Sequence, residues 1–281
     1  MHPISRSCFC GPRSPIDEWD RCGPRRSPTI WGTWPPNLSP PIGIIHLDVW
    51  HSALVTLYSG TSGFSYPAWR GTFYPAGLPT SQMLAYYAGR LNGVELNGSF
   101  YRTPPPATLA GWASQVPAGF RFCMKAQRGL TYSASAFDKE GLAHQVGLRL
   151  AELGPRLGPV LLQFPPATPK DPGLLDGLLA GLGLRAAVEF RQETWFAEDV
   201  YGVLRAHGAA LVVTDQDKWP RAPQVEVSGM AYYRLRRDYD GAGLERWRCE
   251  LRAEAAAREE VHVYFRHEVE APARAAYILE A

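Results

Sequence analysis

The stretch Pro159–Asp215, "PVLLQFPPATPKDPGLLDGLLAGLGLRAAVEFRQETWFAEDVYGVLRAHGAALVVTD", decides the fold. It holds three short apolar runs, Pro159–Phe164, Leu184–Arg191 and Ala209–Asp215. Between them lie two segments with helical spacing, Leu174–Leu182 and Ala197–Gly208. Buried strands alternating with helices of about ten residues read as consecutive βαβ units on a parallel sheet.

The same alternation extends in both directions. Further strands are expected at Leu57–Ser62, Gly93–Ser99, Phe120–Ala126, Met230–Arg236 and Glu260–Arg266. Helical patterns occupy Ser81–Leu91, Ala107–Gln115, Lys139–Leu153 and Ala242–Ala257, with a closing helix at Ala271–Ala281. Eight strands interleaved with helices predict an α/β fold, a (β/α)8 TIM-like barrel. The proline-bearing link after Asp215, "QDKWPRAPQVEVSG", is short, so one helix is expected to be missing or degenerate. A doubly wound open sheet is the competing architecture. It calls for central strands that are apolar throughout, whereas several of these strands turn polar at their ends.

Residues 1–55 differ from the rest. They are rich in proline and arginine and follow neither helical nor strand spacing, because proline at this density prevents both. They read as a disordered extension, or as sequence upstream of a working start near Val49–Val55. Residues 56–281 are then the barrel domain.

Composition narrows the function class. The chain has 281 residues, 46% hydrophobic and 20% charged, with a formal net charge of +2. That balance gives no long-range attraction to nucleic acid or anionic lipid, and no apolar run is long enough for a membrane span. Of five cysteines, Cys8, Cys10 and Cys22 lack zinc-site spacing, and Cys123 and Cys249 read as single thiols of a reducing compartment. A cytoplasmic location is the expectation.

Polar residues concentrate near the C-terminal ends of the strands, the rim where active sites of this fold lie. In order they are Ser59 and Thr61, Glu95 and Asn97, Lys125, Gln163, Glu189 and Arg191, Asp215, Arg234 and Arg236, then Arg266 and His267. The pairs 95/97, 189/191 and 234/236 each share a strand face, because side chains alternate with a period of two. A buried charge network pairing only with itself is the plain alternative. Buried pairs contribute little net stability, so a set this large points to a pocket. Arginine and lysine outnumber the carboxylates there, and the guanidinium fork suits carboxylate or phosphate, so a small anionic ligand is expected. Glu95, Glu189 and Asp215 are the candidate acid/base groups. Asn97, Tyr101, Arg102, Lys125, Gln163, Arg191, Trp195, Arg234 and Arg236 are the candidate ligand contacts.

No metal is assigned, since three of the seven histidines fall in the extension and two on helices. Walker and dinucleotide signatures are absent, so no cofactor is named. The loop Gly63–Pro75 carries five aromatic rings and is expected to form a small core of its own over the rim.

Five ordered motifs, "GTSGFSYPAWRGTFYP", "VELNGSFYRTPPPATLAGWASQVPAGFRFCMKA", "LGPVLLQFPP", "AVEFRQETWF" and "VYFRHE", resemble the YecE-like family over about Leu57–Ala281. The resemblance implies a TIM-like barrel and brings no reaction with it. Glu95, Asn97, Tyr101, Arg102, Lys125, Gln163, Glu189, Arg191 and Asp215 fit the polar positions of that family. Tyr132 and Gln192 stand where its members often carry histidine, and "YYRLRRDYDG" lacks the His-Gly that many have. These departures weigh against imidazole-based chemistry. The expected function is therefore binding, with or without chemical transformation, of a small anion at the rim. A nucleic-acid-binding or processing protein and a non-catalytic ligand-binding barrel are the alternatives.

Overall fold

The computed structural model describes residues 57–132 and 138–280. The reading of 1–55 as an extension lies outside the described residues.

Eight parallel strands form the frame: β1 (Leu57–Ser62), β2 (Gly93–Leu96), β3 (Arg121–Met124), β4 (Val160–Phe164), β5 (Ala186–Phe190), β6 (Ala210–Asp215), β7 (Met230–Leu235) and β8 (Glu260–Phe265). Their hydrogen-bonded order is β3-β2-β1-β8-β7-β6-β5-β4. The end strands meet through bridges that pair Phe122 with Leu157 and Lys125 with Leu161. There the Gly158 and Ala126 amides donate to Phe122 and Leu161 at 2.9 and 2.8 Å. That contact closes the ring and rules out the open doubly wound sheet.

The helices are α1 (Met83–Ala88), α2 (Pro106–Ala113), α3 (Arg128–Thr131), α4 (Lys139–Leu150), α5 (Pro172–Leu182), α6 (Glu198–Ala206), α7 (Gly241–Ala257) and α8 (Ala271–Leu279). Residues 216–229, between β6 and β7, hold no helix, as the proline-bearing link predicted. Local chemistry fixes several helix starts. Asp138, Asp171 and Asp240 each accept a backbone N–H of the first turn, at 2.7, 2.9 and 2.7 Å, which satisfies a donor that has no partner within the helix. α5 ends at Gly183, whose φ of 59° is the left-handed conformation glycine adopts without strain.

Each strand is buried on both faces. One face packs against the helices; the other fills the barrel with Cys123, Leu161, Ala187, Ala210, Val212, Met230, Tyr232 and Tyr264. β1 and β2 approach closely at Gly60, where a Cβ would lie 1.9 Å from the Gly93 carbonyl oxygen. Below this apolar layer His262 is fully buried, stacked on Tyr58 at 4.8 Å and bonded to Glu260 at 3.0 Å. The charged residues sit above it, toward the strand C-termini.

Among the described residues no helix is long and apolar enough to cross a membrane.

Candidate functional site

The upper barrel is laced by an alternating chain of charges, Arg191–Glu189–Arg234–Glu95–Arg236, drawn from β5, β7 and β2 and the residues that follow them. Arg234 grips Glu95 with Nε and Nη2 at 2.9 and 2.8 Å. Its Nη1 donates to Glu189. Arg191 Nε meets the other Glu189 oxygen at 3.0 Å, and Arg236 Nη2 meets Glu95 at 2.9 Å.

Glu95, wholly buried, accepts more still: from Ser62 at 2.7 Å, Tyr232 at 2.9 Å and Asn97 at 3.3 Å. Glu189 also accepts from Gln163 Nε2 at 2.9 Å. The amide oxygen of Gln163 in turn takes Lys125 Nζ at 2.7 Å and the Tyr132 hydroxyl at 3.2 Å.

Burial by itself pushes a carboxyl pKa up, but neighbouring guanidiniums reverse the sign. Arg234 and Arg236 hold Glu95 well below the usual carboxylate range. Arg234 and Arg191 bring Glu189 down to about 2. Arg234, between both carboxylates, is held more firmly protonated than a free arginine. Lys125 moves the other way: burial and then Arg234 lower it to about 8.

This arrangement leaves the carboxylates anionic, with every oxygen engaged by at least one donor. They lock the guanidiniums in place, and neither has a proton to give near neutral pH. The spare capacity is cationic. Among the described residues, the terminal nitrogens of Arg191 and the Nε of Arg236 have no hydrogen-bond partner, and both residues line a cleft of about 840 Å³ at the strand C-termini. Ser62, Asn97, Thr214, Gln216, Lys218, Asp238 and His267 also line it. Thr214 is 5% exposed, and its Oγ1 has no partner among the described residues.

The expected site residues divide into three groups. Glu95, Asn97, Glu189, Arg191, Arg234 and Arg236 come together, joined from the β3–β4 side by Lys125 and Gln163. Asn97 does so from outside the strand, since β2 ends at Leu96 and Asn97 starts a turn. Four residues are placed elsewhere. Asp215 is on the opposite face of β6 from Thr214, bound by the Tyr239 hydroxyl at 2.7 Å and Arg237 at 3.1 Å. Trp195 is sealed against Phe164 and Phe190, its ring N–H donated to the Thr168 carbonyl at 3.1 Å. Tyr101 is 74% exposed and packs edge-on against Phe100. Arg102 is exposed beside it and does not line the cleft.

On β1 the inward polar residue near the rim is Ser62, on the same face as Tyr58. Ser59 and Thr61 instead face the helices, bonded to the Ala275 carbonyl and the Tyr87 hydroxyl at 2.8 and 2.9 Å. Of the residues that line the cleft, sequence reasoning did not single out Ser62, Thr214, Arg237 or the run Gln216–Lys218, nor Asp238. A strand buried on both faces shows no polar alternation to reveal which residues point inward.

Contrary to expectation, the aromatic loop does not form a core of its own; its buried rings join the main hydrophobic core around the barrel. Trp69 and Tyr74 are buried against Phe73, Tyr86 and each other. Tyr66 stacks on His267 at 5.0 Å and so braces one wall of the cleft. Among the described residues no cluster of three or more His, Cys, Asp or Glu is placed to hold a metal ion.

Comparison with known proteins agrees with this frame. The family model described as protein of unknown function DUF72 matches residues 58–281. UPF0759 protein YecE of Escherichia coli is 30% identical over 109 residues, 39% of this chain and 38% of that protein. UPF0759 protein YunF of Bacillus subtilis is 29% identical over 174 residues, 57% of this chain and 61% of that one. The matched stretches thus span less than two thirds of either relative. Among solved structures, a DUF72 family protein from Thermotoga maritima aligns with a TM-score of 0.68 at 26% identity, covering 80% of this chain and 98% of that one. Another from Enterococcus faecalis aligns at 0.64 and 19% identity, covering 80% and 96%, and supports the fold alone.

Proposed function

The chain belongs to the DUF72 family, and from the geometry of its own barrel we propose that it binds a small anionic molecule at the C-terminal rim. The observation that carries this reading is the asymmetry of the charge chain. It begins and ends on arginine, and its outer guanidiniums face the cleft with N–H groups that no described side chain accepts. Guanidiniums fixed beforehand by carboxylates lose little freedom on meeting a ligand, which favours binding.

The same geometry favours binding over carboxylate-based acid/base catalysis, since Glu95 and Glu189 are acceptors already engaged. Within the charged cluster, Lys125 is the member whose proton is held loosely, at about pH 8, and it does not line the cleft. The near-neutral net charge does not favour a nucleic-acid partner.

The test is a thermal-shift screen of anionic and neutral metabolites, followed by turnover assays on each hit. Anionic hits that vanish in Arg191→Ala support the reading. Hits confined to neutral compounds would overturn it, and salt-dependent retardation of DNA or RNA in a gel would favour the nucleic-acid alternative.

A further inference from the structure

Building on the anion-binding reading above, we infer that the ligand is a phosphate monoester with a small hydroxylated body, its phosphate held by Arg191, Arg236 and Thr214. Charge balance points to a dianion. The buried chain sets three guanidiniums against two carboxylates, and Lys125 joins it through Gln163, so two positive charges have no counterpart within the cluster. The side chains of Arg191 and Arg236 are 22% and 11% exposed, so their charge is open to the cleft, where an anion can balance it. A carboxylate would neutralise one of the two; a phosphate monoester carries about −1.5 to −2 at pH 7.

The donors make a second, independent case. A carboxylate is satisfied by the fork of a single arginine. Here the donors come from three strands: Arg191 after β5, Thr214 on β6 and Arg236 after β7. The three line one cleft from neighbouring strands, and a phosphate offers three terminal oxygens to share among them. The buried Thr214 hydroxyl has no partner among the described residues, which is rare for a buried polar atom and calls for a reason. A ligand oxygen supplies one.

Position and lining complete the assignment. Barrels of this fold frequently hold phosphate beside the loops after β7 and β8. In this chain those loops bring Arg236, Arg237, Asp238, Arg266 and His267 to the cleft, three arginines against one carboxylate. The residues that line it are polar or charged, so the organic part of the ligand meets their hydrogen-bonding groups together with their carbon stems, a mixed wall that suits a polyol or sugar.

Calorimetric titration of the full chain tests this with matched pairs on one skeleton: glycerol 3-phosphate against glycerate, and glucose 6-phosphate against gluconate. At least one phosphate is expected to bind tenfold or more tighter than its carboxylate partner. Arg191→Lys should weaken that phosphate about tenfold. Thr214→Val should weaken it several-fold while raising the melting temperature of the free protein, because the substitution removes an unpaired hydroxyl. Carboxylates binding as tightly as phosphates would overturn the phosphate assignment and leave the anion reading standing. Failure of every anion to bind natively folded protein would overturn both. Unchanged phosphate affinity in Thr214→Val would remove Thr214 from the site.

Discussion

Glu95 and Arg234 are 139 residues apart in sequence, yet Arg234 presents two nitrogens to the two oxygens of Glu95, at 2.9 and 2.8 Å. The pair fixes the centre of the charged layer, because each partner also holds the next member outward, Arg236 on one side and Glu189 on the other.

Replacing Arg234 leaves two buried carboxylates without their shared cation. Removing one partner of a buried ion pair costs about 3–5 kcal/mol. Arg234→Met is therefore expected to lower unfolding free energy by that order in urea titration. Replacing Glu95 and Arg234 together with apolar residues of similar size should cost much less than Arg234→Met alone. A single variant as stable as wild type would show that the chain is not a connected unit.

Lys125 should give anion binding a pH dependence. Its folded-state pKa is lowered to about 8 by burial and by Arg234, so the site loses one positive charge as pH rises through 8. Affinity for an anionic ligand is expected to fall several-fold between pH 7 and pH 9, and the dependence should flatten in Lys125→Met. The stability effect has the opposite sign. Between about pH 8 and the unfolded lysine value near 10.4, the unfolded chain binds more protons. Lys125 therefore contributes a rise in stability with pH across that window.

His262 makes the lower barrel sensitive to acid. Burial lowers its pKa despite the adjacent Glu260, and Arg185 and Arg121 add to the lowering. Below the unfolded value near 6.5 the unfolded chain takes up a proton that the folded chain does not, so stability falls with pH. Melting temperature is expected to decline from pH 7 to pH 5.5, with part of the decline absent in His262→Gln. An identical slope in that variant would assign the effect elsewhere.

Asp215 and Arg191 offer a direct contrast. Asp215→Asn perturbs a carboxylate held by Tyr239 and Arg237 on the outer face of β6. It is expected to shift melting temperature by a few degrees and leave anion affinity within about twofold, whereas Arg191→Ala should reduce affinity at least tenfold. Equal losses in the two variants would mean that the inner and outer faces of β6 are coupled.

Cys123 lies at the barrel centre, 3.0 Å from the Tyr264 hydroxyl, and burial pushes its thiol far above the ordinary range. Since the thiolate is the reactive form, Cys123 should resist iodoacetamide in folded protein at pH 8 and react once urea unfolds it. Peptide mapping reads this out.

Much of the barrel was legible from local pattern. Apolar runs alternating with helical spacing gave eight strands, and the prolines of 216–229 marked the missing helix. The i,i+2 pairs 189/191 and 234/236 placed their side chains on one face because strand geometry leaves no other choice. Glu95 and Asn97 met as well, although Asn97 reaches back from a turn.

What sequence alone determined is the architecture and the inventory of charges at its rim, since both follow from local periodicity. Only the tertiary structure decided which charges are engaged and which are spare. It drew Arg234 to Glu95 across 139 residues and left Arg191 and Arg236 facing the cleft. It also turned Thr214 and Ser62 toward the cleft, and Asp215, Ser59 and Thr61 toward the outer face. On β1 and β6 polar residues are buried on both faces, so alternation alone does not say which of them points inward; that face is set by how the ring closes.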